Sequence, residues 1–307
     1  MGGNIDNWKR IRHRLELMGV YILSILPSLL PLKVSVKFGG ILGILAFDIF
    51  RIRRSVTLNN LKKAFGDRMS SRERLRTGRR SYINFAKSMI EFASVGRLSA
   101  DDLRELVSFS GKEYMEEALK KGNGVIAITG HLGSWELMGA AFAATGIPTD
   151  FLVGQQGNKF VDSYINRLRR KAGIGTIPVG VSIRGIFASL KKNRVVAMLS
   201  DQDARKAGIF VDFFGIPSST YPGAAQFACR VNCPIIFSFI VRRKDETHHA
   251  VFCPQIQMNP EADREEEIKR LTALHVKALE ETVIKYPDQY FWAHKRWKTK
   301  PPENNRV

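Results

Sequence analysis

The sequence predicts an α/β protein whose mostly parallel β-sheet is flanked by helices. Short apolar runs of strand length alternate with longer stretches in which apolar residues recur at helical spacing, and this alternation favours parallel strands joined by helices. The length of 307 residues suits one large domain or two small ones, and a chain with 44% hydrophobic and 25% charged residues is typical of folded proteins. Disordered, collagen-like and disulfide-scaffold classes are excluded by this composition.

The strands and helices can be assigned one by one. Apolar runs predict strands at residues 124–130, 149–153, 175–179, 195–199, 235–241 and 250–256. Helical patterns separate most of these runs and cover residues 134–144, 159–172, 182–192, 222–231 and 261–286. The segment RRKDETHH (242–249) predicts a polar hairpin turn, and we expect its two histidines, His248 and His249, at the surface.

The first 50 residues predict a membrane-associated segment in front of one catalytic domain at residues 51–307. Residues 17–32 and residues 38–47 carry no charge, yet each run is shorter than the roughly 20 apolar residues that a spanning helix needs. Basic residues flank the apolar region on both sides, so a single span would place one cluster on the wrong side. We expect the segment to lie in or dip into the cytoplasmic leaflet; the alternative is a pair of buried core helices.

Positive charge is the strongest compositional signal. Lysines and arginines exceed acidic residues by 19, and residues 51–80 hold eleven of them against Asp67 and Glu73. This charge fits a nucleic acid, an anionic lipid surface or an acidic carrier protein. No helix-turn-helix, zinc-finger or RNP-type signature is present, so no nucleic acid is expected. The three cysteines, Cys229, Cys233 and Cys253, lie in apolar stretches and predict small buried residues in a reducing compartment.

The segment GHLGSWELMG (130–139) is the best candidate for catalysis. His131 directly follows a predicted buried strand, at the sheet edge where α/β proteins bind ligands. Glu136 lies five residues later, where the first turn of the next helix could bring its carboxylate to the imidazole. Such a pair would let His131 take a proton from an acceptor hydroxyl that then attacks an acyl donor. A structural histidine near a helix end is the alternative.

Other common catalytic motifs are missing from the sequence. There is no G-x-S-x-G elbow, no P-loop, no H-E-x-x-H pair and no complete dinucleotide fingerprint. The spacing of Cys229 and Cys233 lacks a second ligand pair nearby, so no metal site is expected. The proposed proton transfer needs no cofactor.

Three ordered blocks together resemble the bacterial lipid A biosynthesis acyltransferases, the lauroyl and myristoyl transferases. HLGSWE (131–136) resembles their H-x4-[DE] motif, and SDQDARKAGIFVDFFGIPSSTYPGAA (200–225) resembles their D-Q…G-x-F-V-x-F-F-G…T block. YPDQYFWAHKRWKTKP (286–301) resembles their C-terminal block, and RRSVTLNNLKKAFG (53–66) resembles the segment that follows their apolar anchor. The resemblance therefore covers nearly the whole chain.

This resemblance implies a glycerolphosphate-acyltransferase-like fold at the cytoplasmic face of the inner membrane. It implies an acyl-carrier-protein thioester as donor and an anionic glycolipid, the lipid A precursor, as acceptor. His131 would be the general base and Glu136 its partner. Arg169 is the best match to a family arginine within the site, ahead of Arg167 and Arg170, although an exposed helix face is the alternative for all three.

The second block adds candidate substrate-binding residues. Asp201 and Gln202 follow a predicted strand at the same sheet edge as His131 and are expected to shape the site by hydrogen bonds, or to cap the following loop. Thr220 could position the donor or cap a helix. An apolar acyl slot could be lined by residues that ordinary core packing would also explain: Gly208, Phe210, Phe213, Phe214 and Gly215.

The aromatic and basic residues of the third block predict contact with the membrane interface, where rings and cations meet headgroups. They are Trp292, His294, Arg296, Trp297 and Lys298. The alternative is a packed segment with one face exposed. Two other functions also stay open: an acyltransferase acting on a phosphatidylinositol mannoside or an aminolipid, and a lipid-binding relative without activity, against which the intact His131 and Glu136 argue.

Overall fold

Seven strands form the central sheet of the protein. The computed structural model describes residues 29–179 and 182–302, together with the isolated residues 14, 18 and 25. In chain order the strands are β1 (Val107–Ser110), β2 (Val125–Thr129), β3 (Thr149–Val153), β4 (Gly175–Pro178), β5 (Val195–Leu199), β8 (Ile235–Arg242) and β9 (His248–Ile256). A separate antiparallel hairpin consists of β6 (Ile209–Phe213) and β7 (Ile216–Thr220).

The strand order is β1-β9-β8-β2-β5-β3-β4, and every neighbouring pair except β8 and β9 is parallel. The prediction of a mostly parallel sheet flanked by helices is confirmed, and each of the six predicted strands is present. Strand β2 lies at the centre between β8 and β5 and is buried along its whole length, which explains its continuous apolar sequence.

Ten α-helices are described, and those predicted from apolar periodicity all appear. They are α1 (Leu32–Ile44), α2 (Arg54–Phe65), α3 (Ser71–Ser94), α4 (Ala100–Leu106), α5 (Lys112–Lys120), α6 (Trp135–Ala143), α7 (Lys159–Lys171), α8 (Ser182–Lys191), α9 (Gly223–Val231) and α10 (Arg264–Lys285). A capping box in which Ser70 and Glu73 exchange hydrogen bonds begins α3. A π-helical turn, Leu45–Ile49, continues α1.

Helix α1 packs antiparallel against α3 through glycines. A Cβ atom on Gly43 would lie 2.6 Å from the backbone of Ile83, so only glycine permits this approach. The predicted basic stretch at residues 1–14 and most of the charge-free run at residues 17–32 lie outside the described residues. Within the described part of the chain, no helix combines the length and the apolar character that crossing a membrane requires. The division into a segment at residues 1–50 and a domain at residues 51–307 stays a prediction.

The predicted hairpin turn is present but shorter, because β8 extends to Arg242 and β9 begins at His248. The expectation that His248 lies at the surface is wrong. Its ring is fully buried, and Nε2 lies 3.0 Å from a Glu91 oxygen that also binds the Arg242 guanidinium. His249 is half-buried and contacts Ser108 of the adjacent β1. Two polar residues of this segment, Arg242 and His248, thus form a buried ion cluster with Glu91 of α3.

Candidate active site

The candidate site lies at the carboxyl ends of the two central strands. Thr129 of β2 pairs in register with Leu199 of β5, and each strand is followed two residues later by a polar side chain, His131 and Asp201 respectively. Because parallel strands in register end at the same level, the two side chains meet above the sheet. The topology thus brings together residues that are 70 positions apart.

Asp201 holds His131 through both of its carboxylate oxygens. Oδ1 lies 2.7 Å from the ring Nδ1, and Oδ2 accepts a hydrogen bond of 2.9 Å from the backbone N–H of His131. A carboxylate can only accept here, so Nδ1 carries a proton and Nε2 bears the lone pair. The carboxylate is buried, whereas 22% of the His131 side chain is exposed, so the ring remains accessible from the site.

The environment keeps Asp201 ionised. Burial by itself would raise the pKa of this carboxyl, but the charge and hydrogen bonds of His131 outweigh it and leave the pKa below its ordinary value. Burial, together with the negative charge of Asp201, raises the pKa of Tyr290 well above its ordinary value. The sequence pattern gave no reason to place Tyr290 in the site.

The free side of the imidazole is lined by a polar side chain and two aromatic rings. The amide Nε2 of Gln202 lies 3.4 Å from the Nε2 of His131. The ring of Trp135 meets the imidazole edge-on at 4.9 Å, and the ring of Phe291 lies at 6.2 Å. The amide of Gln202 is therefore the polar neighbour of the nitrogen that bears the lone pair.

Glu136 does not contact His131, and the prediction of that contact is wrong. Both carboxylate oxygens of Glu136 bind Arg169 of α7, with the Nε of Arg169 at 3.0 Å from Oε2. Glu136 lies in the first turn of α6, which aims its side chain at α7, while Asp201 already occupies Nδ1 of the histidine. The carboxylate partner of the imidazole comes from the neighbouring strand instead of from the same loop.

Arg169, predicted to bind substrate, contacts several side chains besides Glu136. Its third nitrogen donates to the side-chain oxygen of Asn166 at 3.0 Å, and its guanidinium lies 5.9 Å from the ring centres of Phe92 and Phe151. Arg167 and Arg170 are exposed on the outer face of α7, as the alternative for them predicted. The structure thus distinguishes Arg169 from its two neighbours, while its role toward a substrate stays a prediction.

Two of the five predicted slot residues, Phe213 and Phe214, belong to the core next to the β6–β7 hairpin. Phe213 is completely buried against Trp297 and Tyr290, so it does not line an open slot. Phe214 adopts a positive φ of 57° and packs edge-on against Phe65.

Gly208 and Thr220 lie at the two ends of the hairpin, and both are closely packed against neighbouring residues. A Cβ on Gly208 would lie 2.3 Å from the hydroxyl of Ser219, so this glycine permits the strands to approach. Thr220 is fully buried and accepts a hydrogen bond of 2.6 Å from Arg296. Of the three predicted phenylalanines, Phe213 is buried, whereas Phe210 and Phe214 are both half-buried.

Of the five residues of the C-terminal block predicted at the membrane interface, Trp292, Arg296 and Trp297 are buried and cannot contact headgroups. His294 is half-buried and Lys298 is exposed. Ordinary packing, the alternative, is confirmed for the three buried residues. Residues 289–299 instead form a strap across the site. The backbone N–H of Phe291 donates to the carbonyl of His131 at 2.9 Å, and the ring Nε2 of His294 accepts from the backbone N–H of Asp203 at 3.0 Å. The strap joins the loops that carry His131 and Asp201.

Of the three cysteines predicted to be buried, one is fully buried. Cys233 is buried, Cys229 and Cys253 are half-buried, and all three are free thiols. Burial raises the pKa of the Cys233 thiol to about 12, so this sulfur is not a nucleophile at neutral pH.

Comparison with known proteins identifies the family of the chain. Residues 8–299 match the bacterial lipid A biosynthesis acyltransferase family. The chain is 23% identical to the lipid A biosynthesis palmitoleoyltransferase of Escherichia coli (strain K12) over 275 residues, which cover 89% of this chain and 87% of that protein. It is 22% identical to the lauroyltransferase of the same strain over 293 residues, or 94% and 93% of the two chains.

A shorter match connects the chain with a different acceptor. It is 25% identical over 131 residues to the phosphatidylinositol mannoside acyltransferase of Mycobacterium tuberculosis (strain ATCC 25618 / H37Rv), which covers 41% of either chain. The matches to lipid A enzymes cover about nine-tenths of the chain and agree with the predicted resemblance. The chain belongs to the bacterial lipid A biosynthesis acyltransferase family and is an O-acyltransferase.

Proposed function

We propose that the enzyme moves a fatty acyl chain from an acyl-carrier-protein thioester to a hydroxyl of a lipid A precursor at the cytoplasmic face of the inner membrane. The family supports acyl transfer in lipid A synthesis, and the excess of 19 positive charges suits an acidic carrier and a phosphorylated acceptor. The observation that carries the mechanism is the hydrogen bond of 2.7 Å between Nδ1 of His131 and Asp201.

That hydrogen bond leaves Nε2 of His131 ready to accept a proton. The acceptor hydroxyl gives its proton to Nε2 as its oxygen attacks the thioester carbonyl, and the ionised Asp201 stabilises the imidazolium. When the tetrahedral intermediate collapses, the C–S bond breaks and the carrier thiolate takes the proton back from His131. The acyl chain then forms an ester with the acceptor, and the reaction needs no covalent enzyme intermediate.

Gln202 would contact the same acceptor hydroxyl that His131 deprotonates. Its amide group lies 3.4 Å from the Nε2 of His131, so an incoming hydroxyl has to displace it or share its hydrogen bond. This contact supports a substrate-positioning role for Gln202. Glu136 would act on the site only indirectly, because its carboxylate binds Arg169 and does not contact His131.

Replacement of His131 by alanine tests the base. We expect a fall in turnover of about 10²–10⁴-fold, measured by mass spectrometry of the acylated lipid A precursor, with unchanged circular dichroism. The matched control is His249→Ala, because His249 lies on β9 two strands from the sheet centre and should not affect turnover. Full turnover by His131→Ala would refute the assignment of the base.

The short match to a phosphatidylinositol mannoside acyltransferase favours one second candidate, an enzyme with another glycolipid acceptor. The same base would serve, since it requires only a hydroxyl. Mass spectrometry of envelope lipids from a strain that lacks this chain separates the two functions. A missing secondary acyl chain on lipid A supports the first, and a missing chain on another lipid supports the second.

A further inference from the structure

The loop that carries His131, residues 130–134, is paired with the strap through its backbone. Phe291 donates its N–H to the carbonyl of His131 at 2.9 Å, and Gly133 donates its N–H to the carbonyl of Gln289, also at 2.9 Å. The residues between these two bonds form an isolated antiparallel bridge. The backbone of His131 therefore depends on the strap for its position as well as on strand β2.

The side chain of Gln289 fixes the strap to strand β8. Its oxygen Oε1 accepts a hydrogen bond of 2.7 Å from the backbone N–H of Arg242, and its Nε2 donates to the carbonyl of the same residue at 3.0 Å. Arg242 is the last residue of β8. One carboxamide thus pairs with both backbone groups of one residue. A carboxylate could not make both bonds, because an ionised carboxylate only accepts.

The end of β8 is a rigid anchor for this contact. The guanidinium of Arg242 is buried and donates to Glu91 of α3 at 2.9 Å. The loop after His131 rests on the same strand, because a Cβ on Gly133 would lie 2.0 Å from the carbonyl oxygen of Ile240. Strand end, strap and loop therefore contact one another, and Gln289 contacts both of the others, β8 through its side chain and the loop through its carbonyl.

We propose that Gln289 is a positioning residue for the acyl transfer, which sets through the strap where the imidazole of His131 lies relative to Asp201 and the acceptor hydroxyl. Both backbone groups of His131 are fixed, the N–H by Asp201 and the carbonyl by Phe291. Displacement of a reacting group by about 1 Å can cost about 10²-fold in rate. Gln289 acts only through His131, so the inference rests on the proposed function, in which His131 is the base.

The opposite end of strand β2 provides a matched control. Oδ1 of Asn193 accepts from the backbone N–H of Gly124 at 3.0 Å, and its Nδ2 donates to the carbonyl of Leu119 at 3.0 Å. Like Gln289, Asn193 is a half-buried carboxamide that joins two backbone segments. It lies next to the amino end of β2, whereas His131 follows the carboxyl end. A change at Asn193 should therefore affect stability without affecting the site.

Kinetics of Gln289→Glu and Asn193→Asp test the proposal. Each change keeps the shape of the side chain and its acceptor but removes the donor, so each leaves one backbone carbonyl without its partner and should lower the free energy of unfolding in urea by a similar amount. We expect Gln289→Glu to lower kcat about 10–10²-fold with an unchanged KM for the carrier thioester and for the lipid A precursor. Asn193→Asp should keep the kcat of the natural chain. Equal kcat values in the two variants would overturn the proposal.

Proton NMR of the full chain gives a second readout that needs no turnover. The Nδ1 proton of His131 lies in a hydrogen bond of 2.7 Å to Asp201, and a charge-assisted bond of this kind shifts its signal downfield. The signal is identified by its absence from His131→Ala. We expect it to be lost through exchange with water in Gln289→Glu and to remain in Asn193→Asp.

The two measurements separate this inference from the proposed function. Turnover by His131→Ala would refute the base, whereas loss of the proton signal in Gln289→Glu would still show that Gln289 positions the imidazole. If the signal persists in Gln289→Glu, the inference is overturned even where kcat falls, because His131 would then be held without Gln289. Gln289→Met, which has no donor or acceptor of comparable strength, should give the same two losses as Gln289→Glu.

Discussion

Asp201 ties the imidazole and the backbone of His131 to the neighbouring strand, and its charge should matter more than its shape. Asp201→Asn keeps the volume but removes the charge, and its amide can donate to Nδ1 and so place the proton on the wrong nitrogen. We expect kcat to fall about 10²–10⁴-fold while the protein stays folded. Steady-state kinetics with the lipid A precursor would measure this.

Asp212→Asn is the matched control, because Asp212 is an exposed residue of β6. Its turnover should equal that of the natural chain. If Asp201→Asn retained full kcat, the carboxylate would have only a structural role.

Glu136 and Arg169 form a buried ion pair, and we expect each to depend on the other. Removal of one partner leaves an uncompensated charge, so Glu136→Gln and Arg169→Gln should each lower the free energy of unfolding by about 3–5 kcal/mol. The double variant should cost clearly less than the sum of the two. Urea unfolding of the four proteins measures the coupling. Additive losses would contradict a direct pair, and full rescue of kcat in the double variant would show that Glu136 takes no part in the chemistry.

The sequence predicted several of the polar residues at the site, although not Tyr290, and it did not predict how they pair. His131, Glu136, Arg169, Asp201 and Gln202 were all named, because strand ends and motif positions can be located along the chain. The pairing of His131 with Asp201 depends on β2 and β5 being neighbours in register, which spacing along the chain does not reveal. A short separation of five residues therefore suggested the wrong partner for His131.

At the scale of elements, the contact of α1 with α3 should be sensitive to single methyl groups. A Cβ on Gly43 would lie 2.6 Å from two backbone atoms of α3, so Gly43→Ala must separate the helices and should cost about 1–3 kcal/mol. Gly40→Ala is the matched control. Its Cβ would approach the Cε of Lys87 at 3.2 Å, and that flexible side chain can move away. Thermal unfolding of both variants compares them, and equal losses would contradict glycine-mediated packing.

Elements with a clear apolar period were predicted, and those held together by contacts distant in sequence were not. The six predicted strands follow apolar runs in the sequence, whereas β1, with the sequence VSFS, contains no such run. The hairpin of β6 and β7 was interpreted only as a motif, because its strands alternate too little to stand out. The aromatic and basic tail suggested a membrane surface, since its sequence does not show that Asn60 binds the carbonyls of Trp292 and His294 inside the fold.

At the scale of the whole molecule, several buried groups make stability depend on pH in the same direction. Burial, with a contribution from Arg296, lowers the pKa of His275 to about 3. Burial would raise the pKa of Glu91, but the charges of His248 and Arg242 lower it to about 2. In both cases the unfolded chain binds a proton at a higher pH than the folded chain does. Acid should therefore unfold the protein.

His275 and Glu91 affect the free energy of unfolding in different pH ranges. His275 contributes stability that is complete above pH 6.5 and is lost as the pH falls from 6.5 toward 3. The contribution of Glu91 is complete above pH 4.5 and is lost only as the pH falls from 4.5 toward 2. Between pH 7 and pH 5, His275 should account for about 2 kcal/mol of lost unfolding free energy. His275→Gln should flatten the profile in that range, because glutamine does not titrate. Urea unfolding at pH 7, 6 and 5 measures the slope, with the exposed neighbour Leu274→Gln as control. An unchanged slope in His275→Gln would mean that other groups carry the acid sensitivity.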